Sequence, residues 1–286
     1  MSKFILSAFA DEIDKDLKTQ MDVLDQHGIK HIEMRGVNGK NLTQYTLEEV
    51  KEIKRQLDAR GFKVSAIGSP IGKILITDEF KPHLELFRHT IEIARILETK
   101  YIRMFSFFIP KGDDPAVYRD EVMRRWKEFI KATEGTGLIL LHENEKEIYG
   151  DTAERCLDLI DTMACGYLKA VFDPANFIQC DVETYPHAYE LLKDHVAYMH
   201  IKDALYSNHS VVPAGYGDGR VKEIISSLDK KGFEGFLSIE PHLGAFHGLA
   251  ELETNIDLRK MPGGEPKLFA IAADALRKIL MDLGVD

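Results

Sequence analysis

Cysteine is scarce in this chain of 286 residues: Cys156, Cys165 and Cys180 are the three present, with no CxxC spacing. An odd, scattered set excludes a disulfide framework and a thiolate metal site, and it suits a reducing compartment, so a cytoplasmic location is expected. Long apolar runs are missing too. No segment has the roughly 18 apolar residues of a membrane span. The short run Phe4 to Ala10 leads straight into Asp11 and Glu12, unlike a secretory leader with its cationic start. Positive charge is in deficit, with 37 Lys and Arg against 47 Asp and Glu, a formal charge of −10. A surface of that sign repels a phosphate backbone, so neither nucleic acid nor a membrane is expected as a partner. The stretch after the first β-rich run, Ala8-Phe9-Ala10-Asp11-Glu12, also lacks the Gly-rich phosphate loop of a dinucleotide-binding open sheet.

What is present is a regular alternation. Eight short β-rich runs, Phe4 to Ala8, His31 to Arg35, Lys63 to Gly68, Tyr101 to Phe105, Leu138 to His142, Leu168 to Phe172, Ala197 to Lys202 and Phe236 to Glu240, are separated by stretches of helical period. Leu17, Met21 and Leu24 mark one inward helix face, and Leu84, Phe87, Ile91 and Ala94 another. Thr46 with Glu49 and Asp151 with Glu154 read as capping boxes at helix starts, and Gly28, Gly61 and Gly232 as left-handed helix stops before strands. No linker or low-complexity segment divides the chain. The expected fold is therefore an α/β protein, a closed (β/α)8 TIM barrel forming one domain over residues 1–286, since barrels of about 250 residues are routinely single domains.

In such a barrel the strand C-termini and the following loops build the site. Four consecutive runs end in polar groups: His142-Glu143-Asn144, Phe172-Asp173-Pro174, His200-Ile201-Lys202-Asp203 and Ile239-Glu240-Pro241-His242. Any one of these carboxylates alone reads as a helix cap or a solvated loop residue. Together, Glu143, Asp173 and Glu240 pointed into one small space would repel each other unless a cation neutralised them. With His200 they form a hard, mostly oxygen ligand set suited to one divalent ion, Mn²⁺ or Mg²⁺ first, Co²⁺ and Zn²⁺ also admissible.

The order Glu143, Asp173, His200, Glu240 resembles the metal site of the sugar isomerase/epimerase superfamily of xylose-isomerase-like barrels, the family that also includes the AP endonuclease family 2 fold, and the resemblance spans the chain. It implies a divalent-metal-dependent sugar isomerase or epimerase in which Glu143 and Glu240 exchange protons with a sugar, sugar phosphate or related polyol. A chelated carbonyl and hydroxyl would stabilise an enediolate; proton return to the opposite face inverts a centre, and return to the adjacent carbon isomerises. A dehydratase or lyase of the inosose or dehydroshikimate type starts from the same enediolate and is the alternative. A DNA-repair endonuclease is disfavoured, because runs three and four end in Gly68-Ser69 and Phe105-Ser106 without the histidines of a three-zinc cluster. A non-catalytic carbohydrate-binding barrel would have no need of two metal-bound glutamates.

Around the quartet, Glu33, Arg35, Arg103, Asn176, Lys202 and His242 are expected to bind substrate, with internal ion pairing the competing reading for Glu33, Arg35 and Arg103. Asn176 stands where several relatives carry a substrate-contacting histidine. Lys73 reads as a solvated loop residue, the run Gly215-Tyr216-Gly217-Asp218-Gly219 as loop geometry, and His142 as structural because the period of two turns it away from Glu143. Phe9, Phe105, Phe107 and Phe108 read as core packing ahead of a cavity wall. The long segment after the eighth run, with Gly244, Gly248, Gly263 and Gly264, reads as a lid or a contact between copies in a homo-oligomer.

Overall fold

Each of the eight β-rich runs forms a strand, and every pairing between neighbours on the ring is parallel, as crossover helices require. In a computed structural model that describes residues 3–243 and 265–285, the strands are β1 (Lys3–Ala8), β2 (His31–Met34), β3 (Lys63–Gly68), β4 (Tyr101–Met104), β5 (Ile139–Glu143), β6 (Leu168–Phe172), β7 (Val196–Ile201) and β8 (Glu234–Ile239). They close into a barrel in sequence order, with β8 paired to β1 from Lys3–Glu234 to Ala8–Ile239. The expected TIM barrel is the fold observed. Strand ends differ from expectation by one or two residues, because hydrogen-bonded pairing, which the sequence does not display, sets them. The glycines of the long segment after the eighth run, Gly244, Gly248, Gly263 and Gly264, lie outside the described residues.

The outer layer comprises α1 (Leu17–Gln26), α2 (Leu47–Ala59), α3 (Phe80–Ile96), α4 (Arg119–Thr133), α5 (Ala153–Met163), two short helices α6 (Pro174–Ile178) and α7 (Tyr189–Leu192), α8 (Val221–Lys230) and α9 (Glu265–Leu283). The expected inward faces are buried: Leu17, Met21 and Leu24 on α1, and Leu84, Phe87, Ile91 and Ala94 on α3. Burying one such large side chain stabilises by about 1.5–3 kcal/mol. Thr46 and Glu49 form the expected reciprocal box at the start of α2. The second box is corrected. Thr152, not Asp151, caps α5 by accepting the Arg155 amide, and Asp151 pairs with the Arg155 guanidinium instead. Gly28, Gly61 and Gly232 all have left-handed φ, at 61°, 71° and 72°, and terminate helices as expected.

Inside the barrel the period of two sorts residues into layers. Ala66, Leu141, Val171 and Tyr198 form a central apolar cluster, with Tyr101, Ile139, Ala197 and Phe236 packed against it. Ser7, Ser65 and Tyr198 hydrogen-bond there at 2.6 and 2.9 Å. Two residues further along the strands, the same inward row becomes charged. His142, one step out of phase, faces the helices, bonding Ser106 at 3.0 Å and meeting the edge of Trp126, so its structural reading agrees with its place.

Candidate active site

Glu143 ends β5, Asp173 follows β6, His200 lies in β7 and Glu240 directly follows β8. Their burial follows from being the last inward positions before the strands splay into loops, and donor atoms of all four fall within 4.8 Å of one another. His200 Nδ1 is 3.1 Å from Glu143 Oε1, 3.6 Å from Asp173 Oδ2 and 3.5 Å from Glu240 Oε2. Asp173 also caps α6, its Oδ1 accepting the Asn176 amide at 2.9 Å. Its Oδ2 is buried with no aligned hydrogen bond, although Lys202 Nζ approaches to 3.0 Å. Three buried carboxylates facing one imidazole repel one another, and a cation at the centre of the quartet would offset that repulsion and meet the poorly bonded Oδ2. The residues therefore fit a divalent ion.

A second layer balances these charges. Glu33 is buried beneath the imidazole and receives His200 Nε2 at 3.2 and 3.3 Å, which turns Nδ1 toward the quartet, the carboxylate–histidine arrangement that orients a metal ligand. Arg103 donates to Glu143 Oε2 at 2.9 Å, and Asn176 Nδ2 to Glu143 Oε1 at 3.1 Å. Arg35 forks onto Asp11 at 2.8 and 3.1 Å, reaches Glu12 at 3.0 Å and lies 3.4 Å from Glu240. Phe9 sets its edge against His200, with ring centroids 5.1 Å apart.

These neighbours decide the ionisation. Burial alone would raise the Glu143 carboxyl, but His200 and Arg103 outweigh it and hold it at about 2. Glu240 likewise lies well below its ordinary value, burial being overcome by Lys202 and His200. Burial works against a charged His200, yet Glu143 and Glu33 drive its proton affinity well above normal. Glu143 and Glu240 therefore stay ionised.

A cavity of about 300 Å³ opens above the quartet, and Arg35, Arg103, Asn176, Lys202 and His242 line it beside Glu143 and Glu240. Of the residues expected to touch substrate, Glu33 is the exception: it does not line the cavity, because its place on β2 puts it under His200. Asn176 has both amide hydrogens committed, the second to Asn144 O at 2.9 Å. Arg35 and Arg103 combine the two readings, ion-paired and cavity-lining at once. His242, half-exposed, lies 3.4 Å from both Glu12 and Glu240.

Two expectations change. Lys73 is not simply solvated: it pairs with Glu145 at 3.0 Å, lies 4.2 Å over the Phe105 ring and lines the cavity. Phe9 and Phe105 carry Arg103 at 5.4 and 4.6 Å, and Phe105 lines the cavity, whereas Phe107 stacks on Phe129 in the core. The glycine run is loop geometry, as expected: the amides of Gly215, Gly217 and Gly219 all donate to the internal carboxylate of Asp203 at 2.8–3.1 Å. Sequence reasoning missed Asp11, Glu12 and Asn144. The acidic pair directly after β1 was the available signal for the first two; Asn144, which bonds reciprocally with Asp173 at 2.9 and 3.0 Å, offered none. A cleft of about 390 Å³ at the other end of the barrel, near His31, Phe62 and Tyr101, has no ligand cluster among the described residues.

Residues 21–260 match the family described as xylose isomerase-like TIM barrel. The chain belongs to that family. No curated protein matches its sequence. Among solved structures, D-psicose 3-epimerase from Clostridium cellulolyticum H10, determined with D-tagatose, is 17% identical with a TM-score of 0.71, each chain covered over 99%. A probable 3-DHS dehydratase from Bacillus anthracis, involved in petrobactin synthesis, is 16% identical over 97% of this chain and 99% of its own, with a TM-score of 0.72. A xylose isomerase-like TIM barrel protein from Mycobacterium smegmatis, in complex with magnesium, is 15% identical over 99% and 97%, with a TM-score of 0.70. At such identities the likeness is one of fold. No helix among the described residues is long and apolar enough to cross a membrane.

Proposed function

We propose that the chain is a divalent-metal-dependent isomerase or epimerase of a small carbohydrate or polyol. The observation that carries this reading is the convergence of Glu143, Asp173, His200 and Glu240 within 4.8 Å, with Glu143 and Glu240 lining the 300 Å³ cavity. A bound ion there supplies Lewis acidity to a carbonyl and its neighbouring hydroxyl, and magnesium in one relative of the fold agrees with this oxygen-rich donor set.

The protein's own groups do the rest. Glu143 and Glu240 reach the cavity from strands three apart on the ring and are placed to take a proton from a substrate carbon and return one. Both are held as weak bases, so proton transfer requires the grip of Arg103 on Glu143 and of Lys202 on Glu240 to be eased. Arg35, Arg103 and His242 offer donors to substrate hydroxyls, and the ring of Phe105 shields the cavity wall. Asn176, with its hydrogens already spent, presents only its carbonyl oxygen and supplies no acid or base.

A metal-dependent dehydratase or lyase is the second reading, favoured by that loss of an acid-base group at Asn176 and by a dehydratase and an epimerase matching the fold equally well. The metal-loaded protein in D₂O, offered free and phosphorylated ketoses, inosose and hydroxypyruvate, should exchange deuterium at the reacting carbon, followed by NMR. Exchange without loss of water supports the isomerase or epimerase; loss of water supports the lyase. A folded, metal-bound protein that exchanges none of them would count against proton transfer on this class.

A further inference from the structure

Lys202 restrains Glu240 in the proton-transfer scheme, but its second contact, to Asp173, has no part in that scheme. Its ammonium lies 3.0 Å from Asp173 Oδ2 and 2.9 Å from Glu240 Oε2, with the side chain only 6% exposed. Those are the two oxygens still available to a ligand. Asp173 Oδ1 is taken by the Asn176 amide, and Glu240 Oε1 faces Arg35 and His242 at 3.4 Å each. The same pair, Oδ2 and Oε2, faces His200 Nδ1 at 3.6 and 3.5 Å. Lys202 therefore sits on the metal face of the quartet and not behind it.

Resting on the reading of the quartet as a metal site, we propose that Lys202 is the internal cation that a divalent ion must displace, and that its released ammonium turns into the cavity to meet a substrate oxygen. An ammonium and a divalent ion cannot share one lone-pair direction of two carboxylates, and their charges repel across a buried gap. Before metal enters, Lys202 offsets the repulsion between Asp173 and Glu240, which lets the site stay assembled. It also has somewhere to go: it lines the cavity, and its stem has four rotatable bonds. Arg103 cannot take this part, because its fork is tied to Glu143 at 2.9 Å on the far side, with Glu33 at 3.8 Å. Lys202 is thus a positioning residue for the ligands, which weakens metal binding while it prepares the site.

The test uses the full chain and Mn²⁺ alone, with affinity read by electron paramagnetic resonance or calorimetry. Lys202→Met and Lys202→Gln should both bind Mn²⁺ about tenfold or more tightly than the parent, through loss of a competing charge. Their Mn²⁺-free forms should melt at lower temperature, and Mn²⁺ should raise their melting temperature by more than it raises the parent's. Unchanged or weaker binding in the variants, with the parent binding normally, overturns the inference alone. Parent-like affinity in Lys202→Gln with a change only in Lys202→Met also overturns it, since a hydrogen bond would then matter and not the charge. Absence of Mn²⁺ binding by the folded parent and both folded variants overturns this inference together with the metal reading. Should Lys202→Met fail to fold, Lys202→Gln decides.

Discussion

The two halves of the barrel contribute different chemistry to one cavity. Strands β5 to β8 deliver Glu143, Asp173, His200 and Glu240, whose donor atoms converge within 4.8 Å. Strands β1 to β4 and their loops deliver Asp11, Glu12, Glu33, Arg35 and Arg103, which pair with each other or with the quartet. One half offers the candidate ligands together with Lys202; the other supplies Arg103 and Glu33, which hold Glu143 and His200 in place. The difference teaches that a cluster of buried carboxylates is tolerable only where a second set of charges has been placed against it.

Breaking the ligand half should have the largest effect. Glu143→Gln or Glu240→Gln should lower turnover by about 10³-fold or more in the D₂O exchange assay, the size expected when a proton-transfer group that also ligates metal is lost. Full activity in both single variants would remove their assigned roles. Stripping the metal with a chelator should abolish exchange, and adding Mn²⁺ or Mg²⁺ should restore it; exchange that survives demonstrated metal removal would contradict the reading.

Breaking the supporting half should cost less and act through the metal. Glu33→Gln keeps the shape beneath His200 but removes the charge that Nε2 donates to, and metal affinity should fall about 10–100-fold, measured by calorimetry. Because Glu33 does not line the cavity, KM under saturating metal should stay near the parent value. A large rise in KM at saturating metal would instead restore a substrate contact.

Two changes on the outer helices, outside both sets of site residues, sharpen the comparison by acting on stability. His83, on α3, accepts the Gly72 amide at 2.7 Å and is pushed down to about 4 by burial, with Arg125 adding to the effect. Its ordinary value is 6.5, so the unfolded chain takes up the proton first as pH falls. The stability is present above pH 6.5 and is lost between 6.5 and 4, by about 2–3 kcal/mol. His83→Gln should flatten that slope in denaturant melts. The smallest effect is expected of Thr46→Ala, which removes the α2 cap at a cost of about 1 kcal/mol and should leave metal affinity unchanged.

The fold was legible because alternation is written locally. Periods of 2 and 3.6, a capping box at Thr46 and the stops at Gly28, Gly61 and Gly232 all agree with the structure. The out-of-phase position of His142 was readable for the same reason. The Asp151 box failed because two neighbours, Asp151 and Thr152, could each cap α5, and a guanidinium at Arg155 competed for the acid. Lys73 was misjudged because Glu145 lies 72 residues away and no local pattern joins them.

By itself, the sequence determined which residues end the strands and face inward, since side-chain direction alternates along a strand whatever surrounds it. It also placed three such acids on one rim, the pattern from which a cation is expected. Only the tertiary structure decided who neutralises whom: that Glu33 serves His200 and not the cavity, that Asp11 and Glu12 hold Arg35, and that Lys202 rests on the oxygens of Asp173 and Glu240. Electrostatic partners are chosen by distance in space, and barrel closure sets those distances by bringing β1 beside β8, Lys3 against Glu234.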